Sequence, residues 1–227
     1  MSELVSSAFF GLMLTVLAYW VGMTIQKKSG LVICNHMMIA AGLIILLLKS
    51  LGISYEQYNV GGSIIHMLLG PATACMALAI YQKRALLKEN WLPVLLGCLA
   101  GCVTTVVTVL VMSRLFGLTP EMTVSLLPKS VTTPIASAIS ESHGGMVPIT
   151  VAAVIFTGIL GNLCAPLLSK LTNDPVAAGL GIGACSHGVG TAKALEIGRT
   201  EGAMSGLAIG VCGIITSLLA LGFAWLV

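Results

Sequence analysis

The chain has 227 residues, of which 57% are hydrophobic and only 8% are charged, and its mean hydropathy is +1.02. Soluble domains carry about 25% charged residues, so this composition excludes an ordinary soluble protein. The net charge of +3 is small and the basic residues are dispersed, which excludes a nucleic-acid-binding surface. We therefore expect an integral membrane protein whose surroundings are the lipid bilayer.

The predicted elements are apolar helices of membrane-spanning length. A spanning helix needs roughly 20 mostly apolar residues. Six stretches without charged side chains reach that length: 4–26, 29–48, 57–82, 90–113, 142–169 and 202–227. Two further stretches, 122–140 and 175–199, are long enough but contain charged residues. The pattern predicts an all-α membrane protein with about six full transmembrane helices and two interrupted segments.

The placement of basic residues predicts the orientation of the chain. Lys and Arg are enriched in cytoplasmic loops. The loops after the first and third spans hold most of the basic residues in this half: Lys27, Lys28, Lys83, Arg84 and Lys88. We expect these loops to be cytoplasmic, the N-terminus to be periplasmic, and the protein to lie in a bacterial inner membrane as a multi-pass protein.

The two interrupted segments carry a repeated polar motif. Residues 126–136 read LLPKSVTTPIA, and residues 184–194 read ACSHGVGTAKA. A shift of 58 positions aligns them in pairs: Lys129 with His187, Val131 with Val189, Thr133 with Thr191 and Ala136 with Ala194. Broken helices at corresponding positions of two repeats are the best sequence indication of a transporter binding site.

The motif divides the chain into two regions within one membrane domain. Residues 1–118 are predicted to form a four-helix scaffold, and residues 119–227 a transport region with two repeats. Each interrupted segment either crosses the bilayer as a broken helix or returns as a re-entrant hairpin. Hairpins place Lys170 and Arg199 on the cytoplasmic side, which fits the enrichment of positive charge there. Hairpins separated by one spanning helix also make the repeats inverted.

The motif residues predict a site for a small anion. Thr133 precedes Pro134, a pair typical of a helix start, and Thr191 holds the equivalent place after two glycines. Helix N-termini bind anions through free N–H groups and the helix dipole. The candidate substrate-binding residues are Lys129, Ser130, Thr132, Thr133, His187, Gly188, Gly190 and Thr191. The alternative is that these Pro, Gly and Thr residues only kink the helices for packing and bind no ligand.

Lys193 and Glu196 share one helix face at i, i+3 spacing. They form either an internal ion pair or a coupling site at which Glu196 takes up a proton or cation. His187 is the other candidate proton carrier. No catalytic constellation, metal-ligand spacing or cofactor motif is present in the sequence, so we expect no enzyme activity, no metal and no cofactor.

Several strings resemble the LrgB/CidB family of bacterial membrane proteins. They are LLGPATACMALAIY at 68–81, LLPKSVTTPIA at 126–136, TGILG at 157–161 and SHGVGTAKALEIG at 186–198. The resemblance implies a smaller membrane protein of the LrgA/CidA type as partner. It also implies one of two activities: holin/antiholin-like modulation of murein hydrolase export and autolysis, or transport of small monocarboxylates such as pyruvate, glycolate or glycerate.

Three functional hypotheses follow. The first is a carrier of small monocarboxylates that works by alternating access and is coupled to protons. The second is a holin/antiholin-like pore or regulator that acts through oligomerisation. The third is a structural subunit whose smaller partner carries the activity. Small residues such as Gly97 and Gly101 also permit homo-oligomers.

Overall fold

A computed structural model of the protein describes residues 7–30, 36–68 and 84–223, together with positions 71, 74, 78, 81 and 82. Within these residues all regular elements are helices. The chain forms two compact units, Met1–Ala72 and Thr73–Val227. The expected all-α class is confirmed for the part of the chain that the structure describes.

The first unit contains α1 (Ala8–Ser29), α2 (His36–Leu51) and α3 (Tyr55–Met67). Helix α1 packs against both of the others. Gly11 of α1 and Gly61 of α3 lie in direct backbone contact, and no side chain would fit at either position. The Thr15 and Tyr58 hydroxyls are 2.8 Å apart across the same crossing. Small residues therefore set the close approach of α1 and α3.

The second unit contains the interrupted segments. Its helices are α4 (Arg84–Glu89), α5 (Trp91–Phe116), α6 (Pro120–Leu126), α7 (Thr133–Ser142), α8 (Val147–Thr172), α9 (Pro175–Ile197) and α10 (Arg199–Ala220). Helix α9 packs along α10, α8 and α5. In this unit α9 therefore packs against three other helices, two of which are longer than it.

Helices α5 and α10 run in the same direction. The Cys98 sulfur lies 4.0 Å from the Ala208 carbonyl oxygen, and the Cys102 sulfur lies 3.8 Å from the Cys212 carbonyl oxygen. The same offset of four residues on both helices requires parallel axes. The C-terminal end of α5 and the N-terminal end of α10 therefore lie at opposite ends of this unit.

Within the described ranges, four helices are long and apolar enough to cross a membrane, namely α1, α5, α8 and α10. They confirm a multi-pass membrane protein. Helix α2 is apolar but has only 16 residues. The predicted third span, 57–82, lies partly outside the described residues. The number of six spans and the division into a scaffold and a transport region stay predictions.

Candidate functional site

The first interrupted segment consists of two short helices joined by residues 127–132, here named the first break. Helix α6 begins after Thr119, whose hydroxyl accepts a hydrogen bond of 3.3 Å from the Met122 N–H. Helix α7 begins at Thr133, as the motif predicts, with Pro134 in its first turn. Its N-cap is Thr132, however, and the Thr132 side chain makes no capping hydrogen bond. The backbone N–H groups at the start of α7 are therefore free of a side-chain cap.

The chain doubles back at the first break. The Met146 N–H donates a hydrogen bond of 2.6 Å to the Ser125 hydroxyl, and the Thr150 hydroxyl donates one of 2.7 Å to the Ser140 hydroxyl. Leu127 and Ile139 lie in one buried cluster. A straight continuation would carry the chain at least about 15 Å away along α7, since a helix rises about 1.5 Å per residue. The residues after α7 instead return to the side of α6.

The second interrupted segment is α9, which is interrupted at His187, here named the second break. His187 has φ 41° and ψ −139°, and this separates a first arm at 175–186 from a second arm at 188–197. Gly190 on the second arm packs against Ser186 and Ile182 of the first arm. Ala194 is buried in one cluster with Ile182 and Ala165. This segment therefore doubles back as well.

The second arm begins earlier than its sequence predicts. The Thr191 hydroxyl donates a hydrogen bond of 2.9 Å to the His187 carbonyl oxygen, one helical turn back. It also lies 2.6 Å from the Ser205 hydroxyl of α10. Thr191 thus lies inside the arm, and the expectation that it starts the arm, as Thr133 starts α7, is wrong. The hydroxyl instead ties the second arm to α10.

Both breaks contact one residue of α8. The His187 Nε2–H group donates a hydrogen bond of 2.9 Å to the Val154 carbonyl oxygen. Val131, at the first break, is buried in one cluster with Val154 and Ala136. The two breaks of the repeat therefore meet at the same residue of the helix that separates them in sequence.

Small residues of α8 make room for the second break. A Cβ atom on Gly158 would lie 2.7 Å from His187 Cε1 and 3.0 Å from the Val189 Cβ atom. A Cβ atom on Gly161 would overlap the Ser186 side chain. These glycines belong to the TGILG string, and their role is close packing of α8 against the second break.

Asn162 of α8 positions the second arm of α9. Its Nδ2 group donates a hydrogen bond of 3.0 Å to the Val189 carbonyl oxygen on the second arm. Its Oδ1 atom is buried and has no hydrogen-bond partner among the described residues. The signal in the sequence was an amide within an apolar span, next to two glycines.

Lys129 brings a positive charge to the first break. Its side chain is half-buried, and the ammonium makes no ion pair or hydrogen bond within the described part of the chain. It lies within electrostatic range of the Cys185 thiol, two residues before the second break. The neighbouring Ser130 hydroxyl is 3.3 Å from the Thr105 hydroxyl of α5. The first break therefore contacts α5 at the residue next to Lys129.

Several polar groups of the first break have no hydrogen-bond partner among the described residues. Buried polar groups in native structures nearly always have a partner, so each exception requires an explanation. The Thr132 hydroxyl oxygen is buried and without a hydrogen-bond partner among the described residues. Together with the unpaired Lys129 ammonium and the uncapped start of α7, it forms a polar, positively charged site. An anion with oxygen acceptors is the chemical group that would satisfy these donors.

The remaining predicted site residues are exposed or partly exposed. Gly188 is exposed with open space around it. Lys193 and Glu196 form an ion pair of 2.7 Å, and 68% of the Glu196 side chain is exposed. The described residues contain no group of three or more His, Cys, Asp and Glu side chains that could hold a metal ion.

Comparison with known proteins covers nearly the whole chain. Residues 15–226 match the sequence profile of the LrgB-like family. The chain is 35% identical over 211 residues to the antiholin-like protein LrgB of Bacillus mycoides (strain KBAB4), and the match covers 92% of each chain. It is 34% identical, with the same coverage, to the proteins of that name in Bacillus cereus (strain B4264) and Bacillus anthracis (strain CDC 684 / NRRL 3495). No solved structure matches the chain.

Proposed function

Since this chain belongs to the LrgB-like family, we propose that it is an antiholin-like protein of a bacterial inner membrane that acts with a smaller LrgA-type membrane protein. The names of its relatives carry this proposal. In this function the protein modulates murein hydrolase export and autolysis. The predicted placement of basic residues puts its N-terminus on the periplasmic side.

A test of the antiholin-like function measures detergent-induced autolysis in cells that lack this chain, the smaller partner or both. We expect a changed lysis rate in each single deletion and no further change in the double deletion, because the two proteins act together. Lysis rates equal to those of the parent strain in all three strains would contradict the proposal. Expression of the chain from a plasmid is the control that restores the parental rate.

One specific observation favours a second candidate function, the transport of a small monocarboxylate. Both breaks of the repeated motif contact Val154, and the Lys129 ammonium at the first of them has no partner in the described part of the chain. An isolated charge within a membrane is costly, and ionisable residues there mark substrate or ion pathways. The uncapped start of α7 adds free N–H groups beside it. This combination suits a carboxylate such as pyruvate, glycolate or glycerate.

Within a membrane, the two segments that double back are re-entrant hairpins from opposite faces. The first hairpin follows the C-terminal end of α5. The second lies beside the N-terminal end of α10, since Gly179 packs against the Glu201 backbone. Because α5 and α10 run parallel, those two ends lie at opposite faces. This supports the inverted repeat that many secondary carriers share.

Alternating access is the mechanism that such a repeat would support, with one part of the protein moving around a fixed site. Lys129 and the start of α7 would hold the carboxylate group of the substrate. Uptake of an anion against an inside-negative potential costs about 2.3 kcal/mol per 100 mV. A coupling cation would offset this cost, and His187 and Glu196 are the candidate proton carriers.

The carrier function is tested by thermal unfolding of the purified protein with pyruvate, glycolate, glycerate or chloride. A ligand that binds only the folded state raises its stability by about 2.7 kcal/mol at one hundred times its Kd. We expect a higher Tm with at least one carboxylate, no such shift with chloride, and loss of the shift in Lys129→Ala. No carboxylate-dependent shift, with or without the smaller partner, would contradict a carrier site.

Reconstituted vesicles distinguish the hypotheses further. A carrier predicts saturable uptake of one carboxylate class, and a pore predicts leakage of many unrelated solutes. If neither occurs until the smaller protein is added, and Lys129→Ala then has no effect, the smaller partner carries the activity.

A further inference from the structure

A groove runs between α5 and the first arm of α9. Its volume is about 520 Å³. Small residues form much of its wall, including Gly97 and Gly101 of α5 and Gly181 and Ala184 of α9. Asn90 and Asp174, at the starts of the two helices, line its outer end. The groove therefore opens at the face where α5 and α9 begin.

The groove leads to the first break. Pro93, Gly97 and Gly101 line it at intervals of four residues on one side of α5, and Thr105 continues the same row. Twelve residues of helix extend about 18 Å, roughly half of a bilayer. The Thr105 hydroxyl lies 3.3 Å from that of Ser130, next to Lys129. The row on α5 thus runs from the start of the helix to Ser130, the residue next to the half-buried Lys129.

On α9 the groove reaches Cys185. This cysteine is exposed, lines the groove and lies within electrostatic range of the Lys129 ammonium. The two helices converge near this point, because a Cβ atom on Gly101 would lie 3.4 Å from that of Ala184. The groove therefore runs along both helices from the open end toward the first break.

The opposite side of the first break is closed. A buried cluster of apolar side chains fills the space between the first break and the C-terminal ends of α5 and α10; its members are Val106, Val109, Leu127, Ile139, Ala220 and Phe223. The region around Lys129 is therefore accessible from one face and sealed from the other by packed side chains.

The charge at the open face suits an anion. Basic residues outnumber acidic residues on the helix ends of this face: Arg84, Lys88, Lys170 and Arg199 lie there with Glu89, Asp174 and Glu201. The Asp174 carboxylate is engaged at the start of α9, where it accepts a hydrogen bond of 3.0 Å from the Val176 N–H. Enrichment in basic residues also identifies this face as cytoplasmic.

We propose that this groove is the path by which a small anion reaches Lys129 from the cytoplasmic face, and that the structure is the conformation closed toward the periplasm. The proposal rests on the candidate carrier function and names the route to its site. Lys129 attracts the anion at the inner end of the groove, and Cys185 lies beside the route.

The test measures the accessibility of Cys185 by thiol labelling. The full-length protein retains Cys185 as its only cysteine, and it is labelled in inside-out membrane vesicles with methanethiosulfonate reagents that carry either a sulfonate or a trimethylammonium group. Each rate is divided by the rate of that reagent with free cysteine. We expect the anionic reagent to be favoured about tenfold through the field of Lys129, and the preference to be lost in Lys129→Met.

Two variants test the route itself. Gly97→Leu fills the groove, and a Cβ atom fits there because its nearest neighbour, Leu180 Cδ1, is 3.9 Å away. Ala100→Leu is the matched control on an exposed face of the same helix that does not line the groove. We expect Gly97→Leu to slow labelling about tenfold and Ala100→Leu to leave the rate unchanged.

Three results would overturn the proposal: no labelling of Cys185, equal normalised rates for both reagents, or equal effects of Gly97→Leu and Ala100→Leu. A variant that retains only Cys164, which is exposed on α8 outside the groove, gives the labelling rate of a cysteine that the groove does not affect. Anion-selective labelling without any carboxylate-induced stabilisation would uphold the groove and refute the carrier function. Failure of the groove proposal can thus be distinguished from failure of the carrier function.

Discussion

The imidazole of His187 donates a hydrogen bond of 2.9 Å to the carbonyl oxygen of Val154, 33 residues earlier in the chain. The bond is buried and directed at backbone, so it fixes the second break to α8 without an ion pair. The same turn of α8 contacts the first break through the Val154 side chain. Stability and function both depend on how closely these three segments approach.

Gly158→Ala tests this close approach. The added methyl group would lie 2.7 Å from His187 Cε1 and 3.0 Å from Val189 Cβ, so the second break has to move. We expect a loss of about 1–3 kcal/mol in the free energy of unfolding, typical of overpacking. The control is Gly97→Ala, where the nearest atom is 3.9 Å away. Thermal unfolding in detergent measures both, and equal Tm values for the two variants would contradict the packing.

Substitutions of His187 separate backbone strain from the hydrogen bond. His187 has a positive φ of 41°, which non-glycine residues rarely adopt. His187→Gly and His187→Ala both lose the bond to Val154, but only glycine tolerates this backbone conformation. We expect the glycine variant to be the more stable by about 1 kcal/mol.

The control for the His187 pair is Ala192→Gly on the exposed side of the second arm, where φ is helical. Glycine should cost about 1 kcal/mol there, because it adds conformational freedom to the unfolded chain. We therefore expect glycine to be more stabilising than alanine at position 187, and alanine to be more stabilising than glycine at position 192. If His187→Ala has the higher Tm, the strained conformation at the second break is incorrect.

Lys129→Met removes a half-buried charge that has no partner among the described residues. We expect the unfolding free energy to rise by about 0.5–2 kcal/mol while the carboxylate-induced stabilisation disappears, a trade of function for stability. Lys170→Met, at an exposed position of α8, is the control and should change neither quantity. A lower Tm of Lys129→Met would mean that the ammonium has a structural partner.

Ser125→Ala tests the return of the chain after α7. The substitution leaves the Met146 N–H without the hydroxyl that accepts its 2.6 Å hydrogen bond. We expect a loss of about 1–3 kcal/mol and faster amide exchange around Met146, because an unpaired donor is costly. Ser142→Ala, at an exposed serine, should cost less than about 0.5 kcal/mol. Similar effects at both serines would argue against the doubled-back segment.

The class of protein and the positions of both breaks could be predicted from the sequence. Charge-free apolar stretches leave few alternatives to membrane helices, and Pro128 and Gly188 mark where helices end. The shift of 58 positions brought together Lys129 and His187, which lie at the two breaks. The chemistry of neighbouring residues determines these features, so they can be predicted without knowledge of tertiary contacts.

Other features depend on contacts between distant residues, and the sequence did not reveal them. Thr133 and Thr191 look equivalent in the motif, but the Thr191 hydroxyl bonds to His187 and Ser205 and lies inside its helix. The bond from Asn162 to Val189 likewise spans 27 residues. Neither periodicity nor spacing indicates which partner a buried polar side chain will find.

The shared contact at Val154 has an evolutionary consequence. The first break packs on the Val154 side chain and the second break bonds the Val154 carbonyl oxygen, so a shift of the α8 backbone at this residue displaces both breaks at once. Across the LrgB-like family, positions 131 and 154 should covary, with a larger residue at one position matched by a smaller one at the other. Selection at this residue of α8 would then act on both copies of the motif together.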